Sequence, residues 1–357
     1  MRKKAAAALL MCASMAMWAG CGKTSNRFLY AATPAANQIV IFREDPNACV
    51  LTQLAGSPVT AGLGVQSLVL HPSKKFLYAA NSGADNISLF TISNTGAITE
   101  VTPRVDAGTA PTLMVIDSAG KYLYVGNSGS YDISVFSIDS GTGALTPVPQ
   151  ISKQPTFTIG MTPFKMQLAP SGNILYVTGQ TTTGVVQAFS VNAGVFSNQG
   201  IAGSPYVTGS APYGLAIDAG GKFLYTANTI DSSISEFKIN SDGSLTALAG
   251  SPIGQTGAGP TALLIDNSGK YMYVANNQNL QAYTVGSDGS LTLLSTNSQF
   301  STAAQPNTLA SDPSGKYLFV GSPSGIQSLS LNGSTGNLTS VATYAVSTSP
   351  TSIVVTP

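Results

Sequence analysis

Short apolar segments alternate with polar turns along almost the whole chain. The clearest pair spans residues 111–127, where two apolar runs flank the turn Ser118-Ala119-Gly120. Residues 212–228 and 260–276 repeat this arrangement closely. Looser copies occupy residues 66–81, 163–178 and 306–321. Runs of β-branched and aromatic residues between Gly-containing turns are typical of β-hairpins, so the pattern predicts one hairpin unit repeated along the chain.

An aromatic residue in the second strand of the hairpin marks the period of this repeat. It recurs at intervals of 46 to 52 residues, at Tyr30, Tyr78, Tyr124, Tyr176, Tyr225, Tyr273 and Phe319. A period of about 50 residues is too long for helical solenoid repeats and is typical of a four-stranded propeller blade. Each unit also contains a third apolar run, such as residues 234–239, and a shorter fourth run, such as residues 245–248, joined by a Gly turn. The sequence therefore predicts an all-β propeller.

The two ends of the repeat region each supply part of a blade. Residues 28–32 correspond to a second strand with no first strand before it. Residues 350–356 correspond to a first strand with no second strand after it. We therefore expect a seven-bladed β-propeller with four antiparallel strands per blade, closed by the C-terminal strand joining the N-terminal blade. Such a closure removes the two open sheet edges that a linear array would leave.

The first 20 residues differ from the repeats. Three basic residues, Arg2, Lys3 and Lys4, precede an apolar run at residues 5–18. This run is too short to span a bilayer comfortably, and it is typical of an export signal. Residues 19–21, Ala-Gly-Cys, resemble the lipobox of bacterial lipoproteins, with Trp18 in place of the usual Leu. The resemblance implies cleavage before Cys21 and a lipid on its sulfur.

These features divide the chain into three parts. We expect a lipoprotein signal peptide at residues 1–20, a lipidated tether at residues 21–26 and the propeller at residues 27–357. The protein would lie outside the cytoplasm, with the lipid as its only contact with a bacterial membrane. Gly22 rather than Asp follows the cysteine, which favours the outer membrane or the cell surface. The alternative is a plain secreted protein in which Cys21 has no special role.

Composition excludes several classes of function. Without the leader, the chain has 13 basic and 15 acidic residues, a net charge of about −2, and no basic patch that would favour nucleic acid. Cys49 is then the one cysteine of the propeller, and it is more typical of a small buried residue than of a nucleophile. No cofactor is expected, since the single Trp is in the leader and no Cys-x-x-Cys-His haem motif occurs. We expect a monomer.

Polar residues collect where the loops of a propeller converge. We use the term upper rim for the end of the ring that holds the connections from second to third strands and from one blade to the next, where ligands commonly bind. The candidate binding residues are Asn81, Asn127, Gln180, Asn228, Asn276, Lys165, Tyr213 and Asn307. The asparagines either cap turns blade by blade or form a polar ring that binds a sugar, lactone or peptide. The sequence has no tight cluster of Asp residues like that of a calcium-binding loop, so no metal site is predicted.

Three sequence motifs resemble those of a known family. They are Lys-Tyr-Leu-Tyr-Val-Gly-Asn at residues 121–127, Lys-Tyr-Met-Tyr-Val-Ala-Asn at 270–276 and Ile-Ser-Val-Phe at 133–136. They resemble the YVTN-repeat β-propellers and the seven-bladed lactonase family, which includes 6-phosphogluconolactonase-like and muconate-lactonising-like proteins. The resemblance covers residues 27–357. It implies cofactor-free hydrolysis or formation of a lactone ring at the channel mouth.

The chain departs from this family at the expected catalytic positions. Family enzymes tend to carry His and Arg where first strands begin, and Glu after the second-strand Asn. The matching positions here hold Ala-Pro-Thr-Leu at 110–113 and Ala-Pro-Tyr-Gly at 211–214, and Ser82, Ser128 and Thr229 follow the asparagines. The only histidine, His71, lies in a turn expected at the opposite rim.

Two functions follow from these observations. The first is a binding or scaffold module with an unknown ligand or protein partner at the upper rim. The alternative is a lactone hydrolase with non-standard residues. Such an enzyme needs a base to activate water and a cation or donor for the oxyanion. The candidates are Lys165 and Arg104 as cations, and Asp132, Asp231 or Asp106 as bases.

Overall fold

Seven antiparallel β-sheets follow one another along the chain in the computed structural model. The structure describes residues 27–151, 156–197, 200–254, 257–296, 298–302 and 305–357. The predicted signal peptide and the tether with Cys21 lie outside these residues. The first strand of each sheet contacts the first strands of the two neighbouring sheets, which closes a ring around a central channel. The prediction of an all-β, seven-bladed propeller is confirmed.

Strands are named by their order from the channel outward, and blades are numbered from the N-terminal one. The first strands of blades 1 to 7 are Ser352–Val355, Val65–Leu70, Pro111–Ile116, Thr162–Leu168, Pro212–Ile217, Ala262–Ile265 and Thr308–Ser311. The second strands are Arg27–Thr33, Phe76–Asn81, Tyr122–Asn127, Ile174–Gln180, Phe223–Asn228, Tyr271–Ala275 and Tyr317–Ser322. The third strands are Gln38–Asp45, Asn86–Ile92, Asp132–Ile138, Gly184–Asn192, Ser233–Ile239, Asn279–Val285 and Gly325–Leu331. A short 3₁₀ helix, Pro34–Ala36, precedes the third strand of blade 1.

The outer strand is continuous in blades 2 and 7, at Ile98–Asp106 and Leu338–Tyr344. In the other five blades it is split into two short pieces that pair with the same third strand. These are Val50–Gln53 and Val59–Thr60, Leu145–Pro147 and Thr156–Thr158, Val195–Phe196 and Tyr206–Val207, Leu245–Ala247 and Ile253–Gly254, and Leu291–Leu293 and Gln299–Ser301.

A serine fills the gap between the two pieces in three of these blades. The Ser57 hydroxyl accepts the Ile41 N–H at 2.8 Å, Ser204 accepts the Ala188 N–H at 3.0 Å, and Ser251 accepts the Glu236 N–H at 2.8 Å. Each serine lies in an Ala-Gly-Ser-Pro sequence and takes the place of a missing ladder carbonyl. The break in the outer strand therefore leaves no donor of the third strand unpaired at these points.

The ring closes as the sequence predicts. The first strand of blade 1 comes from the C-terminus and pairs with the N-terminal second strand, with Leu29 opposite Val355 and Ala32 opposite Ser352. The Thr356 hydroxyl also accepts the Phe28 N–H at 2.8 Å. The two ends of the described chain thus share one sheet, and neither leaves an open edge at the channel.

The turns between first and second strands lie at the rim opposite the upper rim, and hydrogen bonds to an Asp side chain hold them in shape. Asp117 Oδ1 accepts the backbone N–H groups of Lys121 at 2.6 Å and Tyr122 at 2.8 Å, which fixes the turn. His71 occupies the equivalent turn of blade 2, where its Nε2 lies 2.9 Å from the Gly120 carbonyl oxygen. Cys49 is buried in a turn from third to outer strand, as expected. Among the described residues, none forms a helix suited to crossing a membrane.

Candidate functional site at the channel mouth

A cavity with a volume of about 620 Å³ lies at one end of the central channel. We call this cavity the channel mouth. All seven first strands, or the residues directly before them, contribute to its wall. It is lined by Gln66, Thr112, Leu113, Ser128, Thr162, Pro163, Phe164, Lys165, Tyr213, Gly214, Leu215, Thr261, Ala262, Leu263, Asn307, Thr308, Leu309 and Thr351. A cavity of this size suits a ligand of small-molecule dimensions.

One position of the repeat supplies a residue from every blade to this wall. It follows a proline in six blades and Val65 in blade 2. In blades 2 to 5 the pairing of first and second strands shifts at this position, which is a β-bulge. A bulge places an extra residue opposite a single partner residue and re-aims its side chain. The seven residues, here called the mouth ring, are Gln66, Thr112, Phe164, Tyr213, Thr261, Asn307 and Thr351.

Several polar residues of the mouth ring are hydrogen-bonded to neighbouring blades or inter-blade loops. The Thr351 hydroxyl donates to the Gln66 carbonyl oxygen at 2.8 Å, and the Thr261 hydroxyl donates to the Pro306 carbonyl oxygen at 3.2 Å. The Asn307 amide donates to the Ser349 hydroxyl at 2.9 Å. The side-chain oxygen of Gln66 is buried without a hydrogen-bond partner among the described residues, so it is an acceptor available to a ligand or water.

Lys165 is the only charged residue among the described residues that line the mouth. It directly follows the mouth-ring residue Phe164, and its equivalents in the other blades are Ser67, Leu113, Gly214, Ala262, Thr308 and Ser352. Its side chain is open to the solvent of the channel, yet protein surrounds it, and this desolvation lowers the pKa of the ammonium group. Within the described part of the chain it has no ion-pair partner. It is therefore a cation available to an incoming oxyanion or carboxylate.

Two aromatic rings stand on the same wall as Lys165. Phe164 of blade 4 and Tyr213 of blade 5 are neighbouring members of the mouth ring. Their ring centroids lie 4.4 Å apart, and the ring planes are inclined by 35°. Tyr213 is 45% exposed, so the pair presents apolar surface to the cavity rather than to a core.

The predicted asparagines do not line the mouth. Asn81, Asn127, Asn228 and Asn276 are buried at the ends of second strands. The amide of Asn127 donates to Asp132 at 2.7 Å and to Ser134 at 2.9 Å, and Asn228 bonds in the same way to Ser233 and Ser235. A glycine of the inter-blade loop covers each of them. At Gly108, for example, a Cβ atom would lie 2.5 Å from Asn127 Nδ2, so only glycine fits. These bonds join the end of the second strand to the third strand of the same blade.

Three further candidates also hold the loops together. Gln180 Oε1 accepts the Ala211 N–H at 2.9 Å. The Asp132 carboxylate accepts the Asn127 amide and, at 2.9 Å, the Ser130 hydroxyl. Asp231 Oδ2 accepts the Ser210 N–H at 2.6 Å. Neither aspartate lies in the wall of the mouth, so neither is placed beside Lys165.

Arg104 requires a correction. The sequence placed it in an inter-blade loop near the mouth, but the outer strand of blade 2 runs through Asp106 and carries Arg104 on the outside of the ring. Its guanidinium pairs with the Glu100 carboxylate at 2.7 Å, and this partner raises its pKa. Lys165 is thus left without a second cation from the predicted set.

The structure brings together Lys165, Tyr213 and Asn307 from the predicted residues and adds Gln66, Thr112, Phe164, Thr261 and Thr351. The seven mouth-ring residues each directly follow Pro or Val where a first strand begins. An alignment of the repeats would therefore have identified them. Among the described residues, no group of three or more His, Cys, Asp or Glu side chains is arranged to hold a metal ion.

The fold and the channel mouth define a seven-bladed propeller with a small-molecule cavity on its axis. The chain matches the family model "Lactonase, 7-bladed beta-propeller" over residues 23–159, 149–261 and 251–355. It therefore belongs to the seven-bladed β-propeller lactonase family. A search of curated protein sequences found no significant match.

Solved structures share this fold at low sequence identity. A putative 6-phosphogluconolactonase from Bacteroides fragilis is 20% identical to this chain and superposes with a TM-score of 0.80. The alignment covers 93% of this chain and 98% of the Bacteroides chain. The periplasmic gluconolactonase PpgL of Pseudomonas aeruginosa is 17% identical with a TM-score of 0.76, covering 93% and 99%. A Lactobacillus plantarum protein is 21% identical with a TM-score of 0.78, covering 93% and 99%.

Proposed function

We propose that the channel mouth is the active site of a lactone hydrolase that acts on an uncharged sugar lactone. The observation that carries this proposal is the solvent-accessible Lys165 amino group, which lacks an ion-pair partner among the described residues and stands in a wall of hydroxyl, amide and aromatic groups. Membership of the lactonase family supports the reaction class. The Pseudomonas aeruginosa neighbour, named a periplasmic gluconolactonase, supports a sugar lactone as the substrate.

The charge of the mouth argues for an unphosphorylated substrate. A phosphate ester carries nearly two negative charges at neutral pH, and its recognition favours several cations or backbone donors together. Lys165 alone supplies one positive charge at most. A neutral lactone needs no such neutralisation, and its ring-opened carboxylate product needs only one cation.

Lys165 supplies the chemistry that lactone hydrolysis requires. In its neutral form, which the lowered pKa favours, the amine accepts a proton from water as the water oxygen attacks the ester carbonyl carbon. The resulting ammonium lies beside the developing oxyanion and stabilises it. When the ring C–O bond breaks, the ammonium returns its proton to the leaving alkoxide. Water is thereby added across the ester, and the product is an open-chain hydroxy acid.

The test is turnover of glucono-1,5-lactone by the purified protein, measured by acid release above the spontaneous rate. Lys165→Met should remove the activity, and Lys165→Arg should also fail because arginine does not lose its proton at ordinary pH. The rate should rise with pH as Lys165 loses its proton, then level off. The exposed Lys238 of blade 5 gives the matched control, Lys238→Met, which should be unchanged. Turnover that persists in Lys165→Met would overturn the assignment.

A binding module without turnover is the second candidate. No carboxylate is found among the described residues that line the mouth, and lactone hydrolysis would gain from a carboxylate as general base. This observation favours the binding module. In that case gluconate or a cyclic sugar should bind at the mouth and Lys165→Met should weaken the binding of gluconate. Neither the wild-type protein nor any of the variants would then accelerate lactone hydrolysis.

A further inference from the structure

The aromatic pair at the mouth lies outside the apolar cores of the neighbouring blade interfaces. Phe164 and Tyr213 belong to none of the apolar clusters that the described residues form between blades 3 and 4 or between blades 4 and 5. Apolar side chains near them in sequence, Met166 and Leu215, do belong to those clusters. An aromatic side chain as exposed as Tyr213 gains little from burial, so its position calls for another use.

The backbone around the pair aims both rings into the cavity. Each residue follows a proline and occupies a bulge, where the register shifts from Pro163 to Lys165 and from Pro212 to Gly214. At Gly214 a Cβ atom would lie 2.7 Å from the Cβ of Ala227. Glycine there lets the first strand lie close to the second strand while Tyr213 turns toward the channel. The placement is built by the strands and does not depend on a flexible loop.

The mouth ring therefore has two chemically different sides, in a cavity whose lining also includes Leu263 and Leu309. Blades 4 and 5 present the two rings with Lys165 beside them. Blades 6, 7, 1 and 2 present Thr261, Asn307, Thr351 and Gln66, all uncharged and polar. A ligand that fills this space needs one apolar face and an opposite edge of hydrogen-bonding groups. Closed sugar rings have this form, because their C–H groups make an apolar face and their hydroxyl groups radiate from the ring edge.

We infer that Phe164 and Tyr213 form a stacking platform that selects the closed ring of a sugar lactone over its open-chain product. This inference rests on the proposed function for the identity of the substrate. The two rings stack on each other, so together they offer one outward aromatic face. A closed sugar ring covers this face without changing shape, whereas a flexible open chain must lose rotational freedom to do so. Hydrolysis opens the ring and so ends the stacking contact. The platform would bind substrate and release product by the same geometry.

The experiment compares two probes by titration calorimetry with the purified protein. The cyclic probe is 1,5-anhydroglucitol, which has a closed ring and no ester, and the open-chain probe is gluconate. We expect Tyr213→Ala to weaken binding of the cyclic probe about tenfold, as loss of one aromatic stacking contact with its buried area would. Tyr213→Phe keeps the ring and should bind as wild type does. Tyr131→Ala, at a similarly exposed tyrosine outside the mouth, is the matched control.

Kinetics separates this inference from the proposed function. If the protein hydrolyses glucono-1,5-lactone, Tyr213→Ala and Phe164→Ala should raise KM about tenfold with little change in kcat. Turnover with an unchanged KM in both variants would overturn the platform and leave the hydrolase standing. Ring binding that depends on Tyr213 in a protein without turnover would overturn the hydrolase and leave the platform standing. Equal effects of Tyr213→Ala and Tyr131→Ala would also overturn the platform.

Discussion

The hydroxyl of Tyr225 donates a 2.8 Å hydrogen bond to the carbonyl oxygen of Gly289, which lies in the next blade. The same bond, from a second-strand tyrosine to a glycine in the following third-to-outer turn, joins four other pairs at 2.8 to 2.9 Å. They are Tyr30–Gly96, Tyr78–Gly143, Tyr176–Gly243 and Tyr273–Gly336. Each of these tyrosines is fully buried, so its hydroxyl needs a partner. The repeated Tyr and the repeated Gly of the sequence are thus two halves of one contact between blades.

Gly289 tests how closely this contact is packed. A Cβ atom there would overlap the Phe223 ring of the previous blade, and the residue has a φ of 87°. Gly250 has the same φ of 87° but nothing within 4 Å of its Cβ position. Both alanine variants carry the backbone penalty of roughly 1–2 kcal/mol for a left-handed residue.

We expect Gly289→Ala to lose a further ~1–3 kcal/mol because the added methyl group forces the two blades apart. Urea unfolding of the two variants measures the difference, and Gly250→Ala serves as the control for the backbone. Equal losses in unfolding free energy would show that the interface accommodates the methyl group and that the contact is loose.

Removal of residues 350–357 should destabilise the whole ring. The truncation deletes the first strand of blade 1, exposes the edge at Leu29–Ala32 and uncovers the core around Ile353. The loss should lower Tm on the order of 10 °C, since about 1 kcal/mol shifts Tm by roughly 2–4 °C in a domain of some 200 residues. Differential scanning calorimetry makes the measurement, and removal of Pro357 alone is the control. A melt that is unchanged by the long truncation would contradict the closure as a source of stability.

Glu44 makes the stability of the seam between blades 7 and 1 depend on pH. The residue is 2% exposed, and neither carboxylate oxygen has a hydrogen-bond partner among the described residues. Burial is the main cause that raises its pKa to about 7, and Asp312 and Asp45 add to the rise while Arg27 opposes it. The Cys49 thiol and the Tyr317 hydroxyl are the other titratable groups nearby. The Arg27 guanidinium itself pairs with Asp312 at 2.7 Å.

The sign follows from the raised pKa. Between the ordinary pKa near 4.5 and the folded value near 7, the folded protein binds a proton that the unfolded chain releases. Stability from this group is therefore greatest at acidic pH and falls as pH rises through this window, by on the order of 1–3 kcal/mol. Unfolding free energies at pH 5 and pH 8 should differ accordingly. Glu44→Gln should reduce that difference and be more stable than wild type at pH 8; an undiminished difference would contradict the role of Glu44.

The fold could be predicted because the contacts that build it repeat. Five blade interfaces join a buried tyrosine to a glycine in a turn of the next blade, so the Tyr and Gly positions recur at one period. The closure followed from counting strands, since residues 28–32 and 350–356 each lacked a partner strand. The split outer strands were not predicted, because a serine hydroxyl such as that of Ser204 replaces a ladder carbonyl without any apolar signature.

The site could be predicted only in part. Lys165, Tyr213 and Asn307 line the mouth because they stand where first strands begin. Asn127 and its equivalents were ambiguous, because an amide at a strand end suits a ligand and a glycine loop equally well. Arg104 was misplaced because the sequence does not show that the outer strand of blade 2 continues to Asp106. For a polar residue in a loop, the sequence does not show toward which side of the strand end the side chain points.

The mouth ring separates the lining of the channel from the packing that stabilises the propeller. Its seven side chains stand on bulged or strand-opening positions whose backbone is fixed by the residues around them, and the tyrosine contacts lie deeper in the blades. A change at Gln66, Thr112 or Phe164 would thus alter what the channel accepts while the blade interfaces keep their packing. Because mouth-ring side chains can be changed without altering the blade interfaces, the propeller is a suitable scaffold for redesigning specificity one blade at a time.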